Sequence, residues 1–412
     1  MPGPLDGIRV VELATYVAVP SAGTLLADFG ADVIKVEVPQ GEQMRYATPR
    51  RVGFSGVEFP ESAHFQMDNR GKRSLTLDLT RPEALSALLR VIDGADVVIT
   101  NMLPGRLRRF GLDPATLRST RAHLIVGTLS GYGNAGEEAD RPAFDYAAFW
   151  SRTGFMDLMH DEGAPPSWQR GGIGDHSAGL ALACGVMAAL RSRDATGAGQ
   201  VIEVSLMHIG FYVLGNDVAP ALIAKRTPRR HVRENARNPL WNQYRTRDDR
   251  WLFLVMIESE RYWPQLCTAI GRPELVDDPR FEGPVPRFRN SEELTRVLDA
   301  VFLERTLAEW EAILGRHNLI WSPVRTVAEA IEDPQAIAAG MFTTVDHPTA
   351  GPFRTVAPPI RMSATPLTGD RPAPALGAHS VEILRSAGLD EHEIELALGD
   401  PADDRDGGQN DR

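Results

Sequence analysis

Residues 7–38 read GIRVVELATYVAVPSAGTLLADFGADVIKVEV. Two β-branched runs, GIRVVELA at 7–14 and DVIKVEV at 32–38, flank a helical pattern, SAGTLLADFG at 21–30. Strand, helix and strand in so short a span predict a parallel pair joined by a crossover helix. The alternation continues outward. RSLTLDL at 73–79, DVVITNM at 96–102 and HLIVGTL at 123–129 read as further strands. PEALSALLRVID at 82–93 reads as a helix opening on proline, where a missing N–H costs nothing. The fold class is therefore α/β with a parallel sheet.

Such a sheet usually takes its ligand at the carboxyl ends of its strands, and a dinucleotide site places G-x-G-x-x-G directly after the first strand. Here the turn is ATYVAVPSAG at 14–23. Without those glycines the backbone does not approach a pyrophosphate closely, and a hydride-transferring NAD enzyme is disfavoured.

The 412 residues exceed what one core usually organises, and 24% charged with 43% hydrophobic residues is an ordinary globular balance. No apolar run is read as reaching the roughly 20 residues that span a bilayer. The N-terminus has no signal-peptide pattern, which predicts a cytoplasmic protein without a membrane partner. A formal charge of −11 disfavours a nucleic-acid footprint, so an anionic ligand must meet local positive charge. Cys184 and Cys267 lie in apolar segments and read as core fillers. Lysine occurs only at Lys35, Lys72 and Lys225, a bias that reads as genome composition.

Further along, 175–193 is a long helical pattern followed by a strand at 200–206 and an apolar helix over 207–224. The basic, aperiodic stretch KRTPRRHVRENARNP at 225–239 marks a boundary. Beyond it, WNQYRTRDDRWLFLVM suggests a hairpin around Asp248 and Asp249, and 292–303 and 307–316 suggest helices. A helix from 327, a strand region at 346–366 and a helix near 379–398 complete the chain. The organisation expected is a large domain from 1–224 and 326–399, a small α+β domain at 225–325, and a disordered tail at 400–412.

The chemistry concentrates at RGGIGDHSAGLALACG, where glycines give way to an apolar helix and place Asp175 at its N-terminus. Asp is a common helix cap, and that reading is compatible with a second one. A helix N-terminus favours the carboxylate anion, available as a nucleophile. In NMLPGRLRRFG at 101–111, Arg106, Arg108 and Arg109 follow a strand end, where they suit phosphates or form a solvated helix face. Lys72 at a strand entrance reads as solvated, and Trp241, Tyr244 and Trp251 read as small-domain core or as a pocket wall. The ten histidines show no H-x-x-H or H-E-x-x-H spacing, and no G-x-S-x-G elbow is present.

PLDGIRVVEL, LLADFGADVIKVE, NRGKRSLTLDL, NMLPGRLRRFGL, the GYG turn, GDHSAG and TGAGQVIEVSL occur in this order, and together they resemble the class III CoA-transferases over nearly the whole chain. That family includes formyl-CoA:oxalate and carnitine CoA-transferases and the related α-methylacyl-CoA racemases. The resemblance implies a Rossmann-like large domain built from both terminal portions, and an interlinked homodimer. It implies acyl-CoA and a small carboxylic acid as substrates, with no permanently bound cofactor and no metal.

By the same resemblance Asp175 is the covalent nucleophile. Val17, Ala18, Leu77, Asn101, Met102, Arg109, Phe144 and Asp145 match positions around CoA. Phe144 stands where the racemase branch carries an acid/base histidine, and phenylalanine exchanges no proton. Val17 replaces the glutamine of formyl-type members, and their glycine-rich mobile loop is not evident, which disfavours formyl or oxalate substrates. The reading is an acyl-CoA:carboxylate CoA-transferase, with a racemase-like enzyme or a silent acyl-CoA-binding homologue as alternatives.

Overall fold

The computed structural model describes residues 3–47, 62–161 and 163–399; the tail expected at 400–412 lies outside them. The described residues within Met1–Asp157, Trp168–Arg226 and Ala338–Arg412 form one compact unit, and those within Leu158–Ser167 and Thr227–Ile337 a second. Against the expected 225–325, the small unit thus runs on to 337 and takes in 158–167.

The large unit is organised by six parallel strands: β1 (Arg9–Leu13), β2 (Asp32–Glu37), β3 (Arg73–Thr76), β4 (Val97–Thr100), β5 (Ile125–Ser130) and β6 (Val201–Ser205). Their order is β3-β2-β1-β4-β5-β6, the Rossmann order, which reverses between β1 and β4.

Alternate residues of the central strands feed two cores. Val10, Val33, Val97, Ile99 and Ile125 pack under α1 (Ala18–Asp28) and the long helix that carries Asp175. Val11, Ile34, Leu75, Val98 and Val126 pack with the helix at Pro82–Asp93 and with Ile383, Leu384 and Ile394 of the C-terminal helices. The last part of the chain thus returns to cover the second face.

Every strand read from 7–38, 73–79, 96–102, 123–129 and 200–206 is present. Two helices are shorter than expected. The apolar run 207–224 breaks into Leu206–Val213 and Gly215–Ala224, bent by 84° at the break before Gly215. The run 379–398 divides at Gly388, whose φ of +81° ends Ser380–Ser386, and Asp390 then caps Glu391–Leu398 with Glu393 in a capping box. The expected strand region near 346–366 is an antiparallel pair, Phe342–His347 with Gly351–Val356.

In the small unit Trp241–Arg245 and Trp251–Val255 form the hairpin, and Trp321–Pro323 pairs with its second strand. Asp249, at φ +61°, makes the turn. Tyr244 is fully buried with its hydroxyl donating to the Pro239 carbonyl at 2.6 Å, whereas Trp241 and Trp251 are partly exposed.

Candidate functional site

At the point where the strand order reverses, the chain leaving β1 is pinned from two sides. Asn101, just past β4, accepts from the Thr15 N–H at 3.2 Å and donates to the Thr15 carbonyl at 2.8 Å. Tyr16 follows in the left-handed region at φ +66°, a conformation that costs a non-glycine residue energy. Its N–H donates to Glu42 Oε2 at 2.7 Å, its hydroxyl to Gln43 Oε1 at 2.6 Å, and its ring meets Phe144 edge-on with centroids 5.0 Å apart. Val17 then precedes α1, and Ala18 opens it.

Beneath this loop lies a buried ionic cluster. Lys35 Nζ is 3.1 Å from Glu12 Oε1 and 2.6 Å from Glu42 Oε1, and Lys72 Nζ is 2.8 Å from Glu12 Oε2. Arg45 forks onto Glu37 at 2.7 and 2.6 Å. Three cations thus face three carboxylates, as burial requires. Lys72 also donates to the carbonyls of Pro20 and Asp68 and to Asn69 Oδ1, each at 2.8 Å. Its expected solvation is therefore wrong, because the lysine is fully enclosed. Lys35 and Lys72 are two of only three lysines, and a compact ammonium suits such a cage of oxygens.

Asp175 is the third residue of α2 (Ile173–Thr196) rather than its cap. By length and composition α2 is apolar enough to cross a membrane, and here its Ala178, Leu182, Val186 and Ala189 are buried in the first core. Cys184 lies on its exposed side, against the expectation of a core filler, because the apolar residues run all round the helix; Cys267 is buried. The N-cap is Gly172 at φ +88°, which has no side chain to cap with. The cap comes instead from Asp145. Its buried carboxylate accepts from the Gly172 N–H at 2.8 Å.

Close packing holds this start in place. A Cβ at Gly174 would stand 2.6 Å from Phe149 Cγ and 3.0 Å from Asp145 Cβ, and one at Gly179 2.7 Å from the Ala18 carbonyl. Gly179 lies on the same helix face as Asp175, one turn on, so Asp175 is set toward the start of α1.

The electrostatics differ from the sequence reading. Burial, then the negative Asp145, push the Asp175 carboxyl up to about 7, the protonatable His176 opposes this, and Asp68 adds to it. The helix N-terminus alone does not keep it ionised. His176 Nε2 is 3.0 Å from Asp68 Oδ1, which raises the imidazole pKa. Of these three carboxylates Asp145 and Asp68 are hydrogen-bonded. Asp175 makes no hydrogen bond or ion pair with the described residues.

The matched positions divide into groups. Val17, Ala18, Asn101 and Met102 meet at the strand-order reversal, and Phe144 and Asp145 adjoin the Asp175 helix start. Leu77 is buried in the second core at 1% exposure. Arg109 is exposed beside Phe110, with no carboxylate partner among the described residues, whereas Arg108 pairs with Asp140 at 3.1 Å. Sequence reading missed Glu12, Lys35, Glu42, Asp68 and His176. The first two carry a signal, since a charge inside a strand buried on both faces needs a partner.

A profile of CoA-transferase family III matches residues 5–380. The chain belongs to that family. Among relatives, it is 30% identical to (R)-2-hydroxy-4-methylpentanoate CoA-transferase of Clostridioides difficile, over 95% of this chain and 97% of that one. It is 31% identical to succinate–glutarate CoA-transferase of Agrobacterium fabrum, over 92% and 95%. The crystal structure of a CAIB/BAIF family protein from Brucella suis superposes with a TM-score of 0.82 at 31% identity, covering 94% of this chain and all of the other. This family III CoA-transferase is thus an enzyme whose relatives, named for different acids, match it over more than nine-tenths of its length.

Proposed function

We propose that this CoA-transferase moves CoA from an acyl-CoA to a carboxylic acid through covalent intermediates on Asp175. The observation that carries the reading is the state of that carboxylate. It is half-buried, makes no hydrogen bond or ion pair among the described residues, and is pushed up toward neutral pH by burial, at a helix start fixed by Asp145, as a nucleophile requires.

An Asp175 oxygen attacks the thioester carbonyl, the C–S bond breaks, and CoA thiolate departs from an acyl-aspartyl anhydride. The thiolate attacks the aspartyl carbonyl, releasing the donor acid and leaving an aspartyl-CoA thioester. The acceptor carboxylate attacks that thioester and expels thiolate again. Thiolate attack on the acceptor carbonyl of the new anhydride then releases acceptor-CoA and restores Asp175. Each step exchanges one activated acyl bond for another and the net reaction swaps one thioester for another, so no outside energy source is needed and exclusion of water prevents hydrolysis.

Arg109, Asn101, Met102, Val17 and Ala18 are the candidates for holding CoA, with Arg109 on a phosphate and the others through the loops at the strand-order reversal. Phe144 offers no proton-transfer group, which supports transfer over racemisation. A homodimer fits the exposed apolar side chains of Tyr212, Leu222 and Ile223, which a second copy would cover.

Incubation with acyl-CoA followed by hydroxylamine or borohydride is expected to modify Asp175. A panel of acids including 2-hydroxy-4-methylpentanoate, succinate and glutarate tests the acceptor. Transfer that survives Asp175→Ala would sink the assignment.

A further inference from the structure

Two opposed influences act on Asp175 from its own helix start. On one side is Asp145, whose carboxylate is spent on the Gly172 N–H at 2.8 Å and whose charge discourages a second anion nearby. On the other is His176. Its ring lies back over the helix start, with Nδ1 and Cε1 3.6 Å from where a Gly172 Cβ would stand. Its Nε2 reaches Asp68 Oδ1 at 3.0 Å.

Asp68 is a carboxylate held in place from its own helix. It is 4% exposed near the end of the helix Ala63–Asn69, and its own carbonyl accepts from Lys72 at 2.8 Å. Lys72 in turn is paired with Glu12 at 2.8 Å, so that pair presents little net charge to the site. Among the described residues the Tyr146 hydroxyl also lies against this start, beside Gly171. Among the described residues His176 is therefore the group that brings a positive charge to Asp175, and Asp68 favours its protonated form.

We propose that His176, anchored by Asp68, is a positioning residue that keeps a positive charge beside Asp175 and thereby holds the nucleophile anionic near neutral pH. The inference rests on reading Asp175 as the nucleophile. Asp145 and burial make the carboxylate basic enough to attack, while His176 limits that basicity. The limit matters because Asp175 must also depart as a carboxylate when thiolate cleaves the last anhydride.

Carbon-13 labelling of the aspartate carboxyl groups reads the ionisation in resting enzyme, with the Asp175 resonance identified by its loss in Asp175→Asn. Because the His176 side chain is 38% exposed, water screens the pair, and the midpoint is expected to rise by about half to one pH unit in His176→Gln. His176→Lys, which retains a cation, is expected to leave the midpoint at or below the wild-type value. Asp68→Asn is expected to lower the titration midpoint of the His176 imidazole itself, read from its ring protons.

A midpoint of Asp175 unchanged or lowered in His176→Gln would overturn the proposal, as would an unmoved His176 midpoint in Asp68→Asn. The nucleophile assignment fails separately. CoA transfer by Asp175→Ala would remove it while leaving these titrations measurable.

Discussion

The Gly172 N–H donates to Asp145 Oδ2 at 2.8 Å, so the helix bearing Asp175 is capped by an acid 27 residues earlier in the chain. One carboxylate therefore both fixes the start of the helix that carries Asp175 and raises the basicity of Asp175. Asp145→Asn separates the two effects, since an amide oxygen still accepts from Gly172 but carries no charge. The expected outcome is a lower Asp175 midpoint with little loss of stability. Asp145→Ala also loses the cap, at a cost of about 1–2 kcal/mol in urea unfolding.

Arg109 and Arg108 adjoin in sequence and differ in their partners. Arg108 is paired with Asp140, while Arg109 has no carboxylate neighbour among the described residues. Arg109→Ala is expected to weaken CoA binding about tenfold, roughly 1.4 kcal/mol, with a shallower salt dependence. Arg108→Ala is expected to change it by less than about threefold. Calorimetric titration with CoA at two salt concentrations checks both, and equal losses would remove the distinction.

The buried cluster predicts a non-additive pair. Lys72→Met leaves Glu12 enclosed with one fewer cation, and the expected cost is about 3–5 kcal/mol. Adding Glu12→Gln removes the uncompensated charge while Lys35 keeps Glu42 at 2.6 Å, so the double variant is expected to recover part of the loss. Urea unfolding of the two singles and the double measures this. Strict additivity would mean the charges do not interact as the geometry indicates.

The sheet was readable because its strands are β-branched runs between turns, and 7–38 alone contains the repeating unit. The breaks before Gly215 and at Gly388 were harder, because the apolar pattern continues across both and only backbone geometry ends the helix. At the site, Asp175 stood out in GDHSAG, but its environment did not. Asp145 and Asp68 lie 30 and 107 positions away in the chain, and only tertiary packing gathers them. Lysine scarcity says nothing of where the lysines sit, and only the folded chain shows Lys35 and Lys72 paired with the buried Glu12.

Stability should carry the signature of the raised Asp175 pKa. An aspartate that titrates near 3.8 when unfolded and at about 7 when folded binds more protons in the native state between those values. This group's contribution to stability therefore falls as pH rises from about 4 to about 7, the reverse of the usual salt-bridged acid. Asp175→Asn has nothing to ionise and does not share that loss. It is expected to be more stable than wild type at pH 8 by about 1–3 kcal/mol and nearly equal to it at pH 4. Urea unfolding of both proteins at the two pH values reads the difference, and because only the gap between them is used, the titration of other groups cancels. A gap that stays flat across this range would show that Asp175 is no harder to ionise in the native protein than in the unfolded chain. A gap that widens toward pH 8 would show that the burial that raises the Asp175 pKa costs the fold stability.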